Sequence, residues 1–255
     1  MAIEVFNRYE NKYIVGLDTF EKLKNKIAEH MRLDTYNEER ETYTITNLYY
    51  DTSDNHLIRT SLQKPKYKEK LRLRAYGVPN LDAKVYVEIK KKVMGLVNKR
   101  RSALKLEEAH VFLASGILPE EQSYHNRQVL REINYFLQIH EIFPVLYLAY
   151  DRRAYFGIEQ PDLRISFDRN IRTRRYDLTL EAGDYGTPLL DNDSWIMEIK
   201  VAQHIPQWLC KLLSEYQIYP ISFSKYGTEY RRTLEIGQIS SPVYSFLSQK
   251  EVMYV

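Results

Sequence analysis

The chain has 255 residues, 44% hydrophobic and 28% charged, which is enough to build a sizeable core and too apolar for a disordered chain. A net charge of only +3 excludes a generic nucleic-acid binder, so any strong positive field must come from local clustering. The single cysteine, Cys210, excludes an intramolecular disulfide framework and a cysteine-based zinc site. In the apolar context Trp208-Leu209-Cys210 it reads as a buried structural thiol.

Residues 3–15 read as a strand with Arg8, Glu10 and Lys12 on one face. Asp18 is the expected N-cap of an amphipathic helix reaching about Arg32, with Phe20, Leu23 and Ile27 at helical spacing. Residues 43–51 alternate as a strand, and Thr52-Ser53-Asp54 opens a short helix ending near Leu62. Two long strands, near 67–77 and 83–93, are joined by the turn Gly77-Val78-Pro79-Asn80. Another strand is expected over 97–105, then helices over 107–115 and 122–141. Strands resume at 144–156, 163–169, 172–180 and 194–201. Pro206 opens a last helix to about Tyr216, and a looser tail follows from 218. The pattern predicts an α+β chain without a dividing linker: one closed or nearly closed antiparallel barrel with peripheral helices. No leader peptide is visible after Met1, and no apolar run is long enough to span a bilayer, so a cytoplasmic protein without direct membrane insertion is expected.

Cations alternate with apolar residues inside several of these strands. In Lys70-Leu71-Arg72-Leu73-Arg74 the arginines share one face and the leucines the other. Lys12, Lys90, Lys99, Arg101, Arg152, Arg164 and Lys225 take equivalent positions elsewhere. For any one of them a solvated face or a nearby carboxylate is sufficient explanation. For the set, a sheet curled so that its charged faces converge is the better reading, and such a channel needs a strongly anionic ligand such as a polyphosphate chain. Arginine's planar fork suits phosphate oxygens, whereas lysine acts as a point charge.

Glu10, Glu88 and Glu198 each precede a lysine by two residues and share its face. Each could hold that lysine, or bind a hard divalent ion together with phosphate oxygens. Asp168, on the face of Arg164, could simply fix an arginine. Rival chemistries lack their motifs: there is no phosphate-binding Gly-rich loop, no nucleophile elbow and no His-Glu-x-x-His helix. The six histidines are scattered, and the 22 tyrosines are spread along the chain rather than gathered as a base-stacking platform, so no nucleic-acid partner is expected.

The order Glu10-x-Lys12-Tyr13, Leu48-Tyr49-Tyr50-Asp51-Thr52, Lys70 to Arg74, Glu88-Ile89-Lys90, Tyr150-Asp151-Arg152, Arg164 to Asp168, Glu198-Ile199-Lys200 and Phe223-Ser224-Lys225-Tyr226 resembles the vacuolar transporter chaperone (VTC) catalytic domain. That family belongs to the triphosphate tunnel metalloenzymes and makes inorganic polyphosphate from ATP, so the resemblance implies a closed antiparallel β-barrel, a tunnel of about eight strands, as a single catalytic domain over residues 1–255. The resemblance implies that Lys12, Arg72, Arg74, Lys90, Arg152, Arg164 and Lys225 bind the triphosphate or the growing chain. It makes Lys99 a further tunnel lysine, with Arg101 its competitor, and places Ser224 near the tunnel mouth. Glu198 would hold Mn2+ or Mg2+. Where the wider superfamily opens with Glu-x-Glu-x-Lys, this chain has Arg8, which leaves Glu10 alone on the first strand. The expected reaction is transfer of the terminal phosphoryl group of ATP to a polyphosphate chain. Hydrolysis of tripolyphosphate or a nucleoside triphosphate, with Glu10 orienting water, is the alternative, and a non-catalytic polyphosphate-binding module is a third. The regulatory domain and membrane helices that accompany the eukaryotic domain are not seen in this sequence, so a separate membrane partner would have to handle the product.

Overall fold

A computed structural model describes residues 9–94, 96–120 and 123–239. The expected start of the first strand at residue 3, and Arg8 with it, lie outside the described residues. In chain order the elements are β1 (Tyr9–Gly16), α1 (Leu17–Ala28), β2 (Met31–Leu33), β3 (Tyr43–Asp51), α2 (His56–Leu62), β4 (Tyr67–Tyr76), β5 (Lys84–Val93) and β6 (Leu96–Lys105). There follow α3 (Leu106–Ser115), α4 (Tyr124–Ile139), β7 (Phe143–Gly157), β8 (Arg164–Arg174), the two-residue β9 (Thr187–Pro188), β10 (Ser194–Val201), α5 (Gln207–Glu215) and α6 (Lys225–Glu235).

The strands form one ten-stranded sheet in the order β1-β10-β8-β7-β3-β4-β5-β6, with β2 on β7 and β9 on β8. Its pairings are antiparallel. Hydrogen bonds do not close it: β1 and β6 remain edges among the described residues, so the large antiparallel sheet is found and the expected closure of the barrel is not. The sheet nevertheless curls, because Lys90 of β5 lies close enough to Glu10 on β1 and Glu198 on β10 to feel their charges. Native right-handed twist accumulated over so many strands produces such curvature.

Alternation divides each strand between two environments. The outer faces of β4, β5 and β6 present Leu71, Leu73, Val85, Val87, Ile89 and Leu104 to Phe112 of α3 and to Val129, Leu130, Ile133 and Phe136 of α4. On the other flank, Tyr13, Val15, Ile165, Phe167, Trp195 and Met197 pack against Phe20, Leu23 and Ile27 of α1 and Leu209 of α5. Phe20 stacks on Trp195 with ring centroids 3.8 Å apart. Each such side chain contributes roughly 1.5–3 kcal/mol by leaving water.

A third apolar cluster lies on the inner face, where Ile45, Leu146, Leu148, Tyr150 and Ile196 meet Ile58 of α2 and Tyr226 and Tyr230 of α6. α6 stands where a loose tail is expected, and it is not peripheral. Other expectations shift locally. Asp18 sits in the first turn of α1 with Gly16 at the N-cap position, and the helix ends at Ala28 to let β2 form. The expected strands 163–169 and 172–180 are one strand, β8, carrying an irregularity opposite Ala149–Asp151 and a left-handed Asn170 (φ 47°). Gly77 supplies the positive φ of 77° that the β4–β5 turn requires. Cys210 is exposed rather than buried, its Sγ 3.7 Å from the Ile205 carbonyl; the buried face of α5 is Leu209, Leu212 and Leu213.

Candidate active site

The cross-strand register gathers the cations. Directly opposed residues share a face, and Lys12, Glu198 and Ser166 form one row across β1, β10 and β8. Glu10, Lys200 and Arg164 form the next, while Asp168 opposes Arg152 of β7. On the other half, Tyr49, Arg72, Glu88 and Arg101 form a row over β3 to β6, flanked by Lys70, Lys90 and Lys99. All these positions are on the inner face, as the alternation predicts.

Two buried carboxylates organise the centre. Glu88, 1% exposed, receives Arg72 Nε at 2.8 Å and Arg72 Nη2 at 2.7 Å on Oε2, and Lys99 Nζ at 2.9 Å on Oε1. Burial would raise its pKa, but Arg74, Arg72 and Lys99 together hold it well below the usual carboxylate range. Glu88 is thus bound not by Lys90, its neighbour by spacing, but by cations from β4 and β6. Arg74 is held by Asn47 Oδ1 at 2.9 Å and Tyr150 Oη at 3.2 Å, and Arg72 Nη1 donates to Tyr49 Oη at 3.1 Å.

Asp168 accepts a two-pronged bond from Arg152, at 2.7 and 2.9 Å, and a third from Lys225 Nζ at 2.6 Å. It does fix an arginine, but Arg152 rather than Arg164. Burial opposes its ionisation, and Arg152 and Lys225 outweigh that, holding it at about 2. Lys225 arrives on α6, whose N-cap Ser224 accepts the Gly227 N–H at 3.2 Å. α6 is anchored by Arg175, which grips Glu229 with two bonds of 2.8 Å, and by Tyr226, which donates to Asp51 at 2.8 Å. A side chain at Gly227 would meet Leu62 of α2 at 2.9 Å, so the glycine permits the close approach.

Glu198 pairs with Lys200 at 2.6 Å, and Glu10 with Lys12 at 3.3 Å. Burial disfavours the Glu198 anion, and Lys200, Lys12, Arg152 and Lys225 overcome it, keeping it ionised well below the usual range. Arg164 reaches Asp34 at 3.3 Å and lies over Phe156. Arg101 shares the inner face but is exposed over the Tyr86 ring, while Lys99 makes the contact with Glu88.

Lys70, Lys90 and Lys99 stand directly opposite one another on three adjacent strands. Burial, with Lys68, Lys90 and Lys12 adding to it against Tyr49, lowers Lys70 to about 8. Burial also lowers Lys99 to about 7, with Arg74 and Arg72 adding to it against Glu88; 38% of its side chain meets solvent, which softens the effect and makes Lys70 the clearer case. Like charges aligned in this way cost stability and mark a surface shaped for an anion.

A VTC domain model matches residues 7–234. The chain belongs to the VTC domain family.

Among curated proteins this VTC domain is 26% identical, over 265 aligned residues, to vacuolar transporter chaperone complex subunit 4 of Schizosaccharomyces pombe, with 87% of this chain and 36% of that protein covered. The chain therefore spans about a third of that relative's length. Among solved structures, a candidate adenylate cyclase from Bacillus halodurans superposes with a TM-score of 0.51 at 18% identity, covering 84% of this chain and 92% of that one. That likeness is one of fold.

Reading the VTC domain by strand spacing gives Lys70 and Lys200 no role of their own, although both share the parity of residues singled out. Tyr49 and Tyr150, which orient Arg72 and Arg74, and Asn47, which holds Arg74, become visible only through cross-strand register. Among the described residues no helix is long and apolar enough to cross a membrane.

Proposed function

We propose that this VTC domain acts as a single catalytic domain that transfers the terminal phosphoryl group of ATP to the end of an inorganic polyphosphate chain, in the cytoplasm. The observation that supports transfer over hydrolysis is the state of the inner-face carboxylates. Glu88, Asp168 and Glu198 are all held ionised below the usual range by adjacent cations. A carboxylate so stabilised is a poor proton acceptor, and Glu10, the remaining candidate, is paired with Lys12. An attacking water would need a group to orient or deprotonate it, whereas a phosphate oxygen of the acceptor chain is already anionic and needs no base.

The chain's own residues then align and neutralise. Arg72 and Arg74, fixed by Glu88, Asn47 and Tyr150, present guanidinium edges to non-bridging oxygens. Arg152 and Lys225, fixed by Asp168, would take the neighbouring phosphate from the opposite wall. Lys12, Lys90, Lys99 and Arg164 would extend the cationic lining, with Arg101 and Ser224 at its margins. Transfer of this kind asks mainly for positioning and charge neutralisation.

Glu198 and Glu10 are diagonal neighbours on paired strands, a two-carboxylate set that fits a hard divalent ion completed by water and substrate phosphates. Among the described residues no group of three His, Cys, Asp or Glu could hold one unaided. Bound there, Mn2+ or Mg2+ would neutralise charge on the phosphoryl oxygens.

The acceptor decides between the readings. ATP consumption should accelerate on adding pyrophosphate or short polyphosphate. A rate indifferent to these acceptors, with one orthophosphate released per ATP, would replace this reading with hydrolysis. ATP left unchanged under both conditions would point to a binding module.

A further inference from the structure

One end of the sheet carries a feature that phosphoryl transfer does not use. Tyr67 of β4 opposes Val93 of β5, which in turn opposes Leu96 of β6. This row is 48%, 44% and 60% exposed, and Met94 beyond it is 77% exposed. On the other face of the same strand ends, Lys68 stands directly opposite Lys92. Lys64 and Lys66 are exposed on the approach to β4, and the Met94 N–H donates to the Lys66 carbonyl at 2.7 Å, which sets lysines and apolar tip at one level. The nearest carboxylates are taken elsewhere: Lys91 binds Glu69 at 3.3 Å and Glu132 at 3.0 Å, and Arg100 binds Glu132 at 2.6 Å. Among the described residues none of Lys64, Lys66, Lys68 and Lys92 is in an ion pair.

An apolar row in water is unfavourable, and so is a pair of facing lysines. One surface relieves both, provided it is apolar at depth and anionic at its boundary. We propose that this hairpin end docks on an anionic lipid surface. Tyr67, Val93, Met94 and Leu96 enter the boundary between headgroups and acyl chains, and Lys64, Lys66 and Lys92 reach acidic headgroups, while Lys68 donates to the Ser61 carbonyl at 2.9 Å. Lysine stems lie along apolar surface while their ammonium groups stay polar, and tyrosine settles at such a boundary. An acidic protein would satisfy the lysines but would need an apolar pocket for Met94 and Leu96. A bilayer accepts both without one. The contact lies on the membrane and spans nothing. It does not depend on the proposed reaction.

The test is co-sedimentation of the full chain with vesicles of phosphatidylcholine, with and without phosphatidylserine. Binding is expected only with phosphatidylserine. It should fall about fivefold for each of Lys64→Gln and Lys66→Gln, and at least ~10-fold for Met94→Asp combined with Leu96→Asp. These exposed substitutions should leave the melting temperature and any ATP turnover unchanged. No binding to the phosphatidylserine vesicles would overturn the proposal. So would wild-type binding by the Met94→Asp, Leu96→Asp variant, which would mean simple adhesion through the inner-face cations. Capture of polyglutamate without vesicle binding would assign the lysines to an acidic protein instead.

Discussion

At the residue scale the inner face is built from shared carboxylates, and each cation's removal therefore has its own signature. Arg72→Ala leaves Glu88 with Lys99 and Arg74, so the fold should persist while turnover falls at least ~100-fold, read by steady-state kinetics beside a thermal melt. Asp168→Asn removes the only carboxylate bonded to Arg152 and Lys225 among the described residues. It should cost about 3–5 kcal/mol by denaturant unfolding as well as activity. Because Asp168 is held at about 2, its stabilising contribution is complete above the ordinary aspartate range and is lost as pH falls towards 2. The lysines run the other way. Lys70 at about 8 and Lys99 at about 7 sit below their unfolded value, so the ligand-free fold gains stability from them as pH rises from about 7 towards 10. A bound polyanion would restore their protons. Tripolyphosphate should therefore raise the melting temperature more at pH 7 than at pH 9, with proton uptake measurable by calorimetry in two buffers; an equal shift at both would remove these lysines from the site. Much of this was legible in the sequence, because strand parity alone puts Lys12, Arg72, Arg74, Lys90, Arg152, Arg164 and Glu198 on one face. What parity cannot say is which strand lies beside which, so Glu88 was open to pairing with Lys90 when its real partners come from β4 and β6.

At the element scale, α6 is the lesson. Its face is made by Tyr226, Tyr230 and Thr233 around a buried Glu229, so the apolar stripe that marks α1 and α4 is missing. The Ser224 cap and the tyrosine spacing were its only local signals. Its position depends on the Arg175–Glu229 pair, which no pattern within the segment reveals. Glu229→Ala should release α6 and withdraw Lys225 from Asp168. We expect faster amide exchange confined to residues 225–235 and a loss of turnover comparable to that of Lys225→Ala. Full activity with an unprotected α6 would show that the helix is only structural. β8 carries a related lesson: Asn170-Ile171 reads as a break, but a left-handed Asn170 absorbs the irregularity opposite Ala149–Asp151 and the ladder continues. Cys210 went wrong for a simpler reason. It stands one residue past Leu209, off the buried face of α5.

At the scale of the whole molecule, the sequence conveys a charged inner face with helices packed around the sheet, and the family match extends over residues 7–234. It does not convey closure. Whether the last strand pairs with the first is a global property of twist and stagger, invisible to local alternation. The open sheet still brings β1 and β5 within electrostatic reach, with α2 and α6 packed against part of the inner face. That enclosure is what the central claim requires, since an extended polyphosphate must meet cations on several strands at once. The most direct test is phosphorus NMR of the purified chain with ATP, Mn2+ and a trace of pyrophosphate. The account predicts a growing internal-phosphate resonance alongside ADP, absent with Arg72→Ala. Orthophosphate and ADP without that resonance would contradict it.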